Sequence, residues 1–413
     1  MTTPASSVPL RRHPVFRLLW TADAVAQNGT FAATATLPLL AATSLGATPW
    51  QMGMLAATEM TGFLLFGLPA GAWIDRCRRR PVLIAADLAR AGLLLAVPVA
   101  AVCGILHIAA LIVVALLVGI ASMFFDVAYQ AYLPTAIGME NLEAGNANLQ
   151  ATQTIGQTAG PGLGGLLTQL AGPANALGIT GLGYLTSAAL IARIRVPEPT
   201  PPRPDVRASL RTDIAEGVRY IATHPQLRAL AAASALAAFF SSGVLAVEVL
   251  FFTRDLHLDG FGTGVMLALS GVGGVAGAAS TRRWTRRLGD RALWLVPLCS
   301  WPVHVLFPLA RPGVGVLLAV VGILVFSAGA TVYNVLSMTR RQELAPERLR
   351  GRVNASMRVI IWGPMVIGAL AAGALADQIG TRTTLWCSVI GTVLAVVPLV
   401  ASPLRESGPR GRS

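Results

Sequence analysis

Long apolar stretches alternate with short polar ones along the whole chain. Splitting the apolar stretches at charges, prolines and glycines predicts twelve segments, each close to the ~20 residues that a helix needs to cross a bilayer. We expect helices because the bilayer interior offers no water to satisfy an open backbone. The predicted spans are 15–43, 49–74, 82–105, 108–136, 146–170, 174–194, 227–252, 261–281, 292–310, 314–337, 353–376 and 383–402.

The composition supports this prediction of a membrane protein. Of the 413 residues, 54% are apolar and only 12% are charged, whereas about 25% of the residues of a typical globular protein are charged. The stretch 97–125 contains no charged residue apart from His107. We therefore expect an all-α, polytopic protein that crosses the cell (inner or plasma) membrane many times and contacts its lipids.

Arginine supplies every basic side chain other than histidine, and its distribution predicts the orientation. Twelve spans place both termini on one side of the membrane, and the loops on that side carry 27 of the 32 arginines, against three on the other side. Positively charged loops stay in the cytoplasm, so both termini are predicted to be cytoplasmic. Because the charge lies in short connections, the net charge of +13 does not indicate a nucleic-acid partner.

Short motifs recur about half a chain apart. The pattern G-P-x-x-x-G begins at Gly160 in span 5 and again at Gly363 in span 11. Repeated halves are typical of transporters in which one half moves against the other around a central site. We therefore predict two pseudo-symmetric six-helix halves, over 1–194 and 227–413, joined by a cytoplasmic linker over 195–226.

The linker opens with the proline-rich sequence V-P-E-P-T-P-P-R-P. The segment after the prolines predicts a helix with five apolar side chains on one face. They are Val206, Leu210, Ile214, Val218 and Ile221. Such an amphipathic helix can lie on the inner membrane surface, although an ordinary solvated connector explains the same pattern.

Four carboxyl groups inside predicted spans are the main candidates for chemistry. A charged side chain at the centre of a membrane helix costs about 2.5–3.5 kcal/mol or more. Low dielectric disfavours a charged carboxyl, so a proton and a cationic substrate can compete for it. We rank Glu59 first, Asp23 second and Asp126 third, and add Glu248, which is close to the outer interface. Alternatively, each carboxyl is hydrogen-bonded within the bundle.

Other polar groups inside the spans are interpreted as structural. Asp87 and Arg90 are spaced to form an ion pair along one face of span 3. His304 is interpreted as a packed polar residue. Tyr129, Tyr333 and Trp362 could line a binding site for an amphiphile, but aromatic packing is the default interpretation.

The connection between spans 2 and 3 resembles the motif G-x-x-x-D-R-x-G-R-R of the major facilitator superfamily. The matching residues are Gly71, Asp75, Arg76, Arg79 and Arg80. Arg78 stands where a glycine is usual. The resemblance implies a latch in which Asp75 contacts the start of span 11 and Arg79 pairs with Asp126. A carboxylate at the positive end of a helix dipole is favourable by about 0.3–1 kcal/mol. A simpler interpretation is that the arginines only determine orientation.

Span 5 resembles the motif G-x-x-x-G-P-x-x-G-G of proton-driven exporters in the same superfamily. The motif is complete in Gly156, Gly160, Pro161, Gly164 and Gly165. Small residues at this spacing let a neighbouring helix approach closely, and the proline bends the helix. The resemblance implies a hinge, while plain helix packing explains the same residues.

The stretches F-R-L-L-W and L-R-G-R-V are similar to the branch that contains the enterobactin exporter and macrolide-efflux proteins. This resemblance implies a secondary exporter of the drug/proton antiporter type, which exchanges protons for an amphiphilic drug, siderophore or natural product. A proton-coupled uptake symporter is the alternative, followed by a receptor or scaffold that does not transport. The sequence has no Walker loop or H-E-x-x-H motif, so we predict no enzyme, cofactor or metal site, and we expect a monomer.

Overall fold

The computed structural model describes residues 14–74, 76–196, 198 and 210–405, and every regular element in these ranges is a helix. The α-helices are α1 Pro14–Leu39, α2 Pro49–Ile74, α3 Arg79–Val102, α4 Ile108–Ile137, α5 Leu142–Ala171, α6 Pro173–Ala192, α7 Leu210–Thr223, α8 Pro225–Leu250, α9 Gly260–Leu288, α10 Ala292–Ser300, α11 Leu306–Leu309, α12 Val316–Leu344, α13 Arg350–Ile379, α14 Thr381–Leu394 and α15 Val397–Val400.

The all-α prediction is confirmed, and the helices are consistent with twelve spans. Helices α1–α6 match spans 1–6, and α8 and α9 match spans 7 and 8. Helices α10 and α11 together match span 9, α12 and α13 match spans 10 and 11, and α14 and α15 match span 12. By length and hydropathy alone, eight helical segments in the described ranges are able to cross a membrane.

Several helices are longer than the predicted spans. Helix α9 ends at Leu288 and helix α12 at Leu344, each about two turns beyond its apolar stretch. The extensions contain the arginines that follow these stretches. Hydrophobicity predicts only the part of a helix that lipid can cover, because arginine is itself a good helix former and continues the helix into water.

Span 9 is broken in the middle. Helix α10 ends at Ser300, a 3₁₀ turn runs from Trp301 to Val305, and α11 follows. Pro302 lacks the backbone N–H that a continuous helix requires, which explains the interruption. His304 lies in this turn, buried and stacked on Phe326 with ring centres 4.2 Å apart, which agrees with the interpretation of His304 as a packed residue.

The first helices of the two predicted halves end in the same unusual way. A single π-helical turn, Leu40–Ser44, follows α1, and another, Phe251–Asp255, follows α8. π-helical turns are rare and often occur at functional sites. Their appearance at corresponding places supports the internal repeat that the G-P-x-x-x-G motifs predict.

Contacts divide the chain into two compact units. Unit 1 contains residues 1–40 and 61–205, and unit 2 contains residues 41–60 and 206–413. In unit 1, α1 packs against α5 and α6. In unit 2, α8 packs in the same way against α13 and α14. The first half of α2 is grouped with unit 2, whereas the predicted boundary at 194 assigned it to the first half, and these domain boundaries stay a prediction.

The linker helix α7 packs on the start of α13 within unit 2. Ile221 is buried in a cluster with Val353 and Met357 of α13. Glu216 forms ion pairs with Arg348, at 3.5 Å, and with Arg352. Helix α7 thus has a protein partner for part of its apolar face. Val206 lies outside the described residues, and contact of this helix with the membrane surface stays a prediction.

Two native cysteines test the predicted orientation. Cys77 lies between α2 and α3, and Cys103 is exposed after α3, on the opposite side of the predicted span. We expect a membrane-impermeant maleimide to label a variant whose only cysteine is Cys103 in intact cells. The variant whose only cysteine is Cys77 should react only after the membrane is permeabilised. The reverse pattern would place both termini outside the cytoplasm.

Candidate functional site

A buried ion pair lies in the interior of unit 1. Asp87 is 0% exposed and Arg90, one turn later on α3, is 1% exposed, and the Arg90 guanidinium donates to the Asp87 carboxylate. The rings of Phe125 on α4 and Tyr184 on α6 lie over the guanidinium, with each ring centre 4.3 Å from its Cζ atom. A cation–π contact of this kind contributes about 0.5–2 kcal/mol. The positive charge is therefore held by three helices.

Two of the four predicted coupling carboxyls lie in the same unit as this pair. Asp23 on α1 is 3% exposed, and Asp126 on α4 is half-buried. Both interact electrostatically with Arg90, and Asp23 also interacts with Asp126 and Asp87. The structure thus brings together two carboxyls predicted to carry protons and the pair that was interpreted as structural. We call Asp23, Asp87, Arg90 and Asp126 the aspartate–arginine cluster.

Two tyrosines hold the helices around the aspartate–arginine cluster. The hydroxyls of Tyr184 and Thr30 lie 2.9 Å apart and join α6 to α1. Tyr129 of α4 donates to the Leu19 carbonyl of α1 at 3.4 Å. Both rings are buried, which agrees with the interpretation of Tyr129 as packing, and Tyr184 is a member of the site that sequence reasoning missed.

The other two predicted coupling carboxyls do not belong to the aspartate–arginine cluster. Glu59 lies on α2 and Glu248 on α8, both in the part of the chain grouped as unit 2. Each side chain is half-buried. Among the described residues, neither carboxyl has a hydrogen bond or an ion pair. Their roles in proton or substrate binding stay predictions.

The predicted latch is described only in part. Gly71 lies in α2, and Asp75 lies outside the described residues, so its contact with span 11 stays a prediction. Arg76 and Arg78 are exposed. Arg79, the implied partner of Asp126, forms no ion pair in the described ranges. The guanidinium that interacts with Asp126 is that of Arg90.

The start of α3 is held by a residue that sequence reasoning missed. Glu198 accepts the backbone N–H of Arg79 at 2.6 Å and that of Arg80 at 3.0 Å, one on each carboxylate oxygen. These N–H groups have no partner inside the helix, and the positive end of the helix dipole favours a carboxylate there. The only signal in the sequence is that Glu198 is the first acidic residue of a proline-rich linker.

The same connection is also tied to the end of α6. The Arg80 guanidinium donates to the carbonyl of Ile191 at 3.2 Å and to that of Ala192 at 2.6 Å. These carbonyls belong to the last turn of α6, where a cation is favourable. Arg79 and Arg80 thus form hydrogen bonds within unit 1, in addition to any effect of their charge on the orientation of the protein in the membrane.

The glycines of span 5 face α1. An added Cβ at Gly156 would lie 2.8 Å from Cδ2 of Phe31, and one at Gly160 would lie 3.1 Å from the carbonyl carbon of Phe31. At Gly164 it would lie 3.0 Å from the carbonyl carbon of Ala32. Pro161 and Gly165 are buried in the same helix. The packing interpretation therefore describes the observed contacts, and the hinge stays a prediction.

The family of transmembrane secretion effectors matches residues 5–410 of the chain. This match covers almost the whole sequence and all of the predicted spans. The chain belongs to this family of major facilitator transporters. The predicted membership of the superfamily is confirmed, and the chain is an integral membrane protein of a family that transports small molecules.

Relatives of this transporter are named as exporters. The chain is 30% identical to the multidrug efflux pump Tap of Mycolicibacterium fortuitum, over 83% of this chain and 85% of that protein. It is 25% identical to the enterobactin exporter EntS of Escherichia coli, over 97% of this chain and 96% of that protein. The resemblance to an exporter branch is thus supported along the full length.

Solved structures support the fold of the transporter. The nucleoside transporter NupG superposes with a TM-score of 0.75 at 14% identity, covering 94% of this chain and 98% of that one. A bacterial homologue of the iron transporter ferroportin superposes with a TM-score of 0.72 at 17% identity, with the same coverage. At such low identity these similarities concern the fold alone.

The glycines at the two G-P-x-x-x-G motifs provide a matched test of the packing and hinge interpretations. The substitution Gly160→Ala should lower the free energy of unfolding by about 1–3 kcal/mol, because the added methyl group overpacks the contact with α1. Gly363→Ala should be neutral, because no atom lies within 4 Å of the added Cβ. Thermal unfolding of the purified protein and transport in cells are the two measurements.

The two interpretations of span 5 give different results in this test. If Gly160 only packs, stability and transport fall together. If it also belongs to a hinge, transport falls by more than the loss of stability explains. Unchanged stability and transport in Gly160→Ala would contradict both interpretations.

Proposed function

We propose that this transporter exports an amphiphilic small molecule in exchange for protons that move inward. The observation that carries this proposal is a buried carboxyl, Asp23, in the same unit as the buried ion pair of Asp87 and Arg90. Carboxyl groups are expensive in a membrane interior and usually mark ion or proton pathways. A carboxyl that binds a proton loses its charge, so proton binding changes the energy of the buried site.

The direction of transport and the substrate class are proposed from the relatives. The names of the relatives in Mycolicibacterium fortuitum and Escherichia coli describe a multidrug efflux pump and an enterobactin exporter. Both names describe outward movement of small organic compounds. We therefore propose export of a drug, a siderophore or a natural product with apolar and polar parts.

Several further predictions belong to the same proposal. Both termini lie in the cytoplasm, and the protein acts as a monomer in contact with membrane lipids. The two halves move against each other, with Gly71, Asp75 and the arginines of the 2–3 connection acting as a latch. Within unit 1, the backbone N–H groups of Arg79 and Arg80 donate to Glu198, which fixes the start of α3 next to this connection.

An efflux assay in cells tests the proposed exchange. Cells that express the protein are loaded with ethidium, a cationic amphiphile, and its loss is followed with and without a protonophore. We expect faster loss than in cells with the empty vector, and the protonophore should abolish the difference. Energised accumulation of the dye would indicate uptake and would contradict the proposal. If ethidium is not moved, a panel of uncharged and anionic amphiphiles replaces it.

Substitutions of the carboxyls test their assigned role. We expect Asp23→Asn, Asp126→Asn and Glu59→Gln each to abolish the part of efflux that the protonophore blocks, because an amide cannot bind and release the proton. Glu347→Gln, at an exposed carboxyl between α12 and α13, is the control and should retain efflux. A variant at one of the three sites that retains protonophore-sensitive efflux, at equal amounts of protein in the membrane, would refute the role of that residue.

A further inference from the structure

An open groove lies between three helices of unit 2. Helices α9 and α10 both pack against α12 but have few contacts with each other, so a gap remains between them with α12 as its floor. The backbone of α9 lies directly on this floor, because an added Cβ at Gly273 would lie 2.6 Å from the carbonyl oxygen of Leu324. The groove has a volume of about 450 Å³. Its central lining residues are Ala276 and Ser280 of α9, Val296 and Ser300 of α10, and Ala328 and Val332 of α12.

The inside of the groove is apolar. The hydroxyls of Ser280 and Ser300 both donate to carbonyls about one turn earlier in their own helices, at 3.0 Å and 2.8 Å. At its edges, Val272 is 45% exposed and Val325 is 36% exposed. Exposed apolar side chains in a membrane-spanning helix are suited to hydrocarbon and not to polar solutes. The groove therefore fits a hydrocarbon chain.

The length of the groove corresponds to one leaflet of a bilayer. On α9 it runs from Val272 to Trp284, a rise of about 18 Å at 1.5 Å per residue. The hydrocarbon core of one leaflet is about 15 Å thick, half of the ~30 Å of a bilayer. Trp284 is 38% exposed at one end of the groove, and tryptophan favours the boundary between hydrocarbon and headgroups. The groove thus extends from a membrane interface to about the middle of the bilayer.

Two arginines continue the lining face of α9 past the end of the groove. Arg283 and Arg287 follow Ser280 by three and seven positions, which places all three on one face of the helix. Both arginine side chains are exposed, and neither forms an ion pair among the described residues. Asp290 is the one acidic residue against five arginines within 281–291. This end of the groove therefore has a strong excess of positive charge.

We propose that the groove binds an anionic phospholipid of the inner leaflet, with one acyl chain along α12 and the phosphate at Arg283 and Arg287. A guanidinium binds phosphate oxygens through two parallel N–H donors. The cytoplasmic leaflet carries the negative charge that attracts basic segments, and the predicted orientation places the end of α9 on that side. Two arginines aligned with a groove one leaflet long distinguish this site from the lipid contact of any other membrane helix.

Native mass spectrometry of the purified full chain in detergent measures the affinity of its tightest lipid site. Dioleoyl phosphatidylglycerol is compared with dioleoyl phosphatidylcholine, which has the same chains and no net charge. It is also compared with dihexanoyl phosphatidylglycerol, which has the same headgroup and chains too short to fill the groove. We expect the long-chain anionic lipid to bind about tenfold more tightly than either of the others, because both parts of the site contribute.

The arginines of α9 provide matched variants for the headgroup. Arg283→Gln/Arg287→Gln should remove the roughly tenfold preference for phosphatidylglycerol over phosphatidylcholine. Arg282→Gln/Arg286→Gln is the control and should retain this preference. It removes the same charge from the same helix, but these residues follow Ser280 by two and six positions and lie on other faces.

Two alanines of α9 provide matched variants for the acyl chain. Ala276→Phe places a ring in the groove and should weaken the binding of both long-chain lipids about tenfold. Ala278→Phe, two positions later and on the opposite face of the helix, should leave their binding unchanged. Both alanines are exposed, so neither ring is forced into the protein core.

Several results would overturn the inference. Equal binding of the two dioleoyl lipids by the wild type would exclude a phosphate-selective site, and equally tight binding of the short-chain lipid would exclude use of the groove. Equal loss of preference in the two arginine double variants would indicate a diffuse basic surface. Undiminished binding in Ala276→Phe would likewise contradict the site. If a variant does not accumulate, the comparison of the three lipids on the wild type decides. None of these measurements involves transport or protons.

Discussion

A bilayer interior cannot solvate charge, and the arrangement of unit 1 follows from this constraint. Arg90 is placed where a long side chain would otherwise be surrounded by lipid and apolar residues. Its charge is balanced by Asp87, and aromatic rings from α4 and α6 contact it. Side chains from α3, α4 and α6 therefore meet at this one guanidinium. The carboxyl groups of Asp23 and Asp126 also interact electrostatically with this guanidinium.

Close helix approach is the second constraint, and glycine satisfies it in both units. Lipid tails are as apolar as the helix surfaces, so the hydrophobic effect does not drive membrane helices together. The helices pack instead through small residues that allow close approach. In unit 1, α5 contacts α1 at Gly164. In unit 2, α13 contacts α8 at Gly368, where an added Cβ would lie 2.8 Å from the carbonyl carbon of Phe239. The corresponding helix pairs are therefore in close contact in both units, at Gly164 in one and at Gly368 in the other.

Most of the fold could be predicted from the sequence because a membrane helix must satisfy its own backbone. The helical spans, the repeat and the family follow from local patterns of this kind. Pro302, which interrupts span 9, is also visible in the sequence. It lies within an apolar stretch long enough to predict one continuous helix, so the break was not predicted. Hydrophobicity also could not show where α9 and α12 end, since their last turns are helical and charged.

The candidate site was less predictable because its members come together only on folding. Asp87 and Arg90 are neighbours on one helix and were interpreted as a closed pair. Their relation to Asp23 and Asp126 depends on the packing of α4 and α6 against α3 and of α1 against α4 and α6, which no local pattern encodes. Glu198 is a similar case, since a lone carboxylate among prolines gives no sign that it will bind the start of α3.

The central claim is that movement of the substrate and movement of protons in opposite directions are one process. The most direct measurement uses the purified full chain in liposomes with a pH dye inside and no imposed pH gradient. An outward gradient of a substrate from the cell assay should make the lumen more acidic, and protein-free liposomes should show no change. A lumen that becomes more alkaline, or substrate flux without any change in pH, would contradict the account.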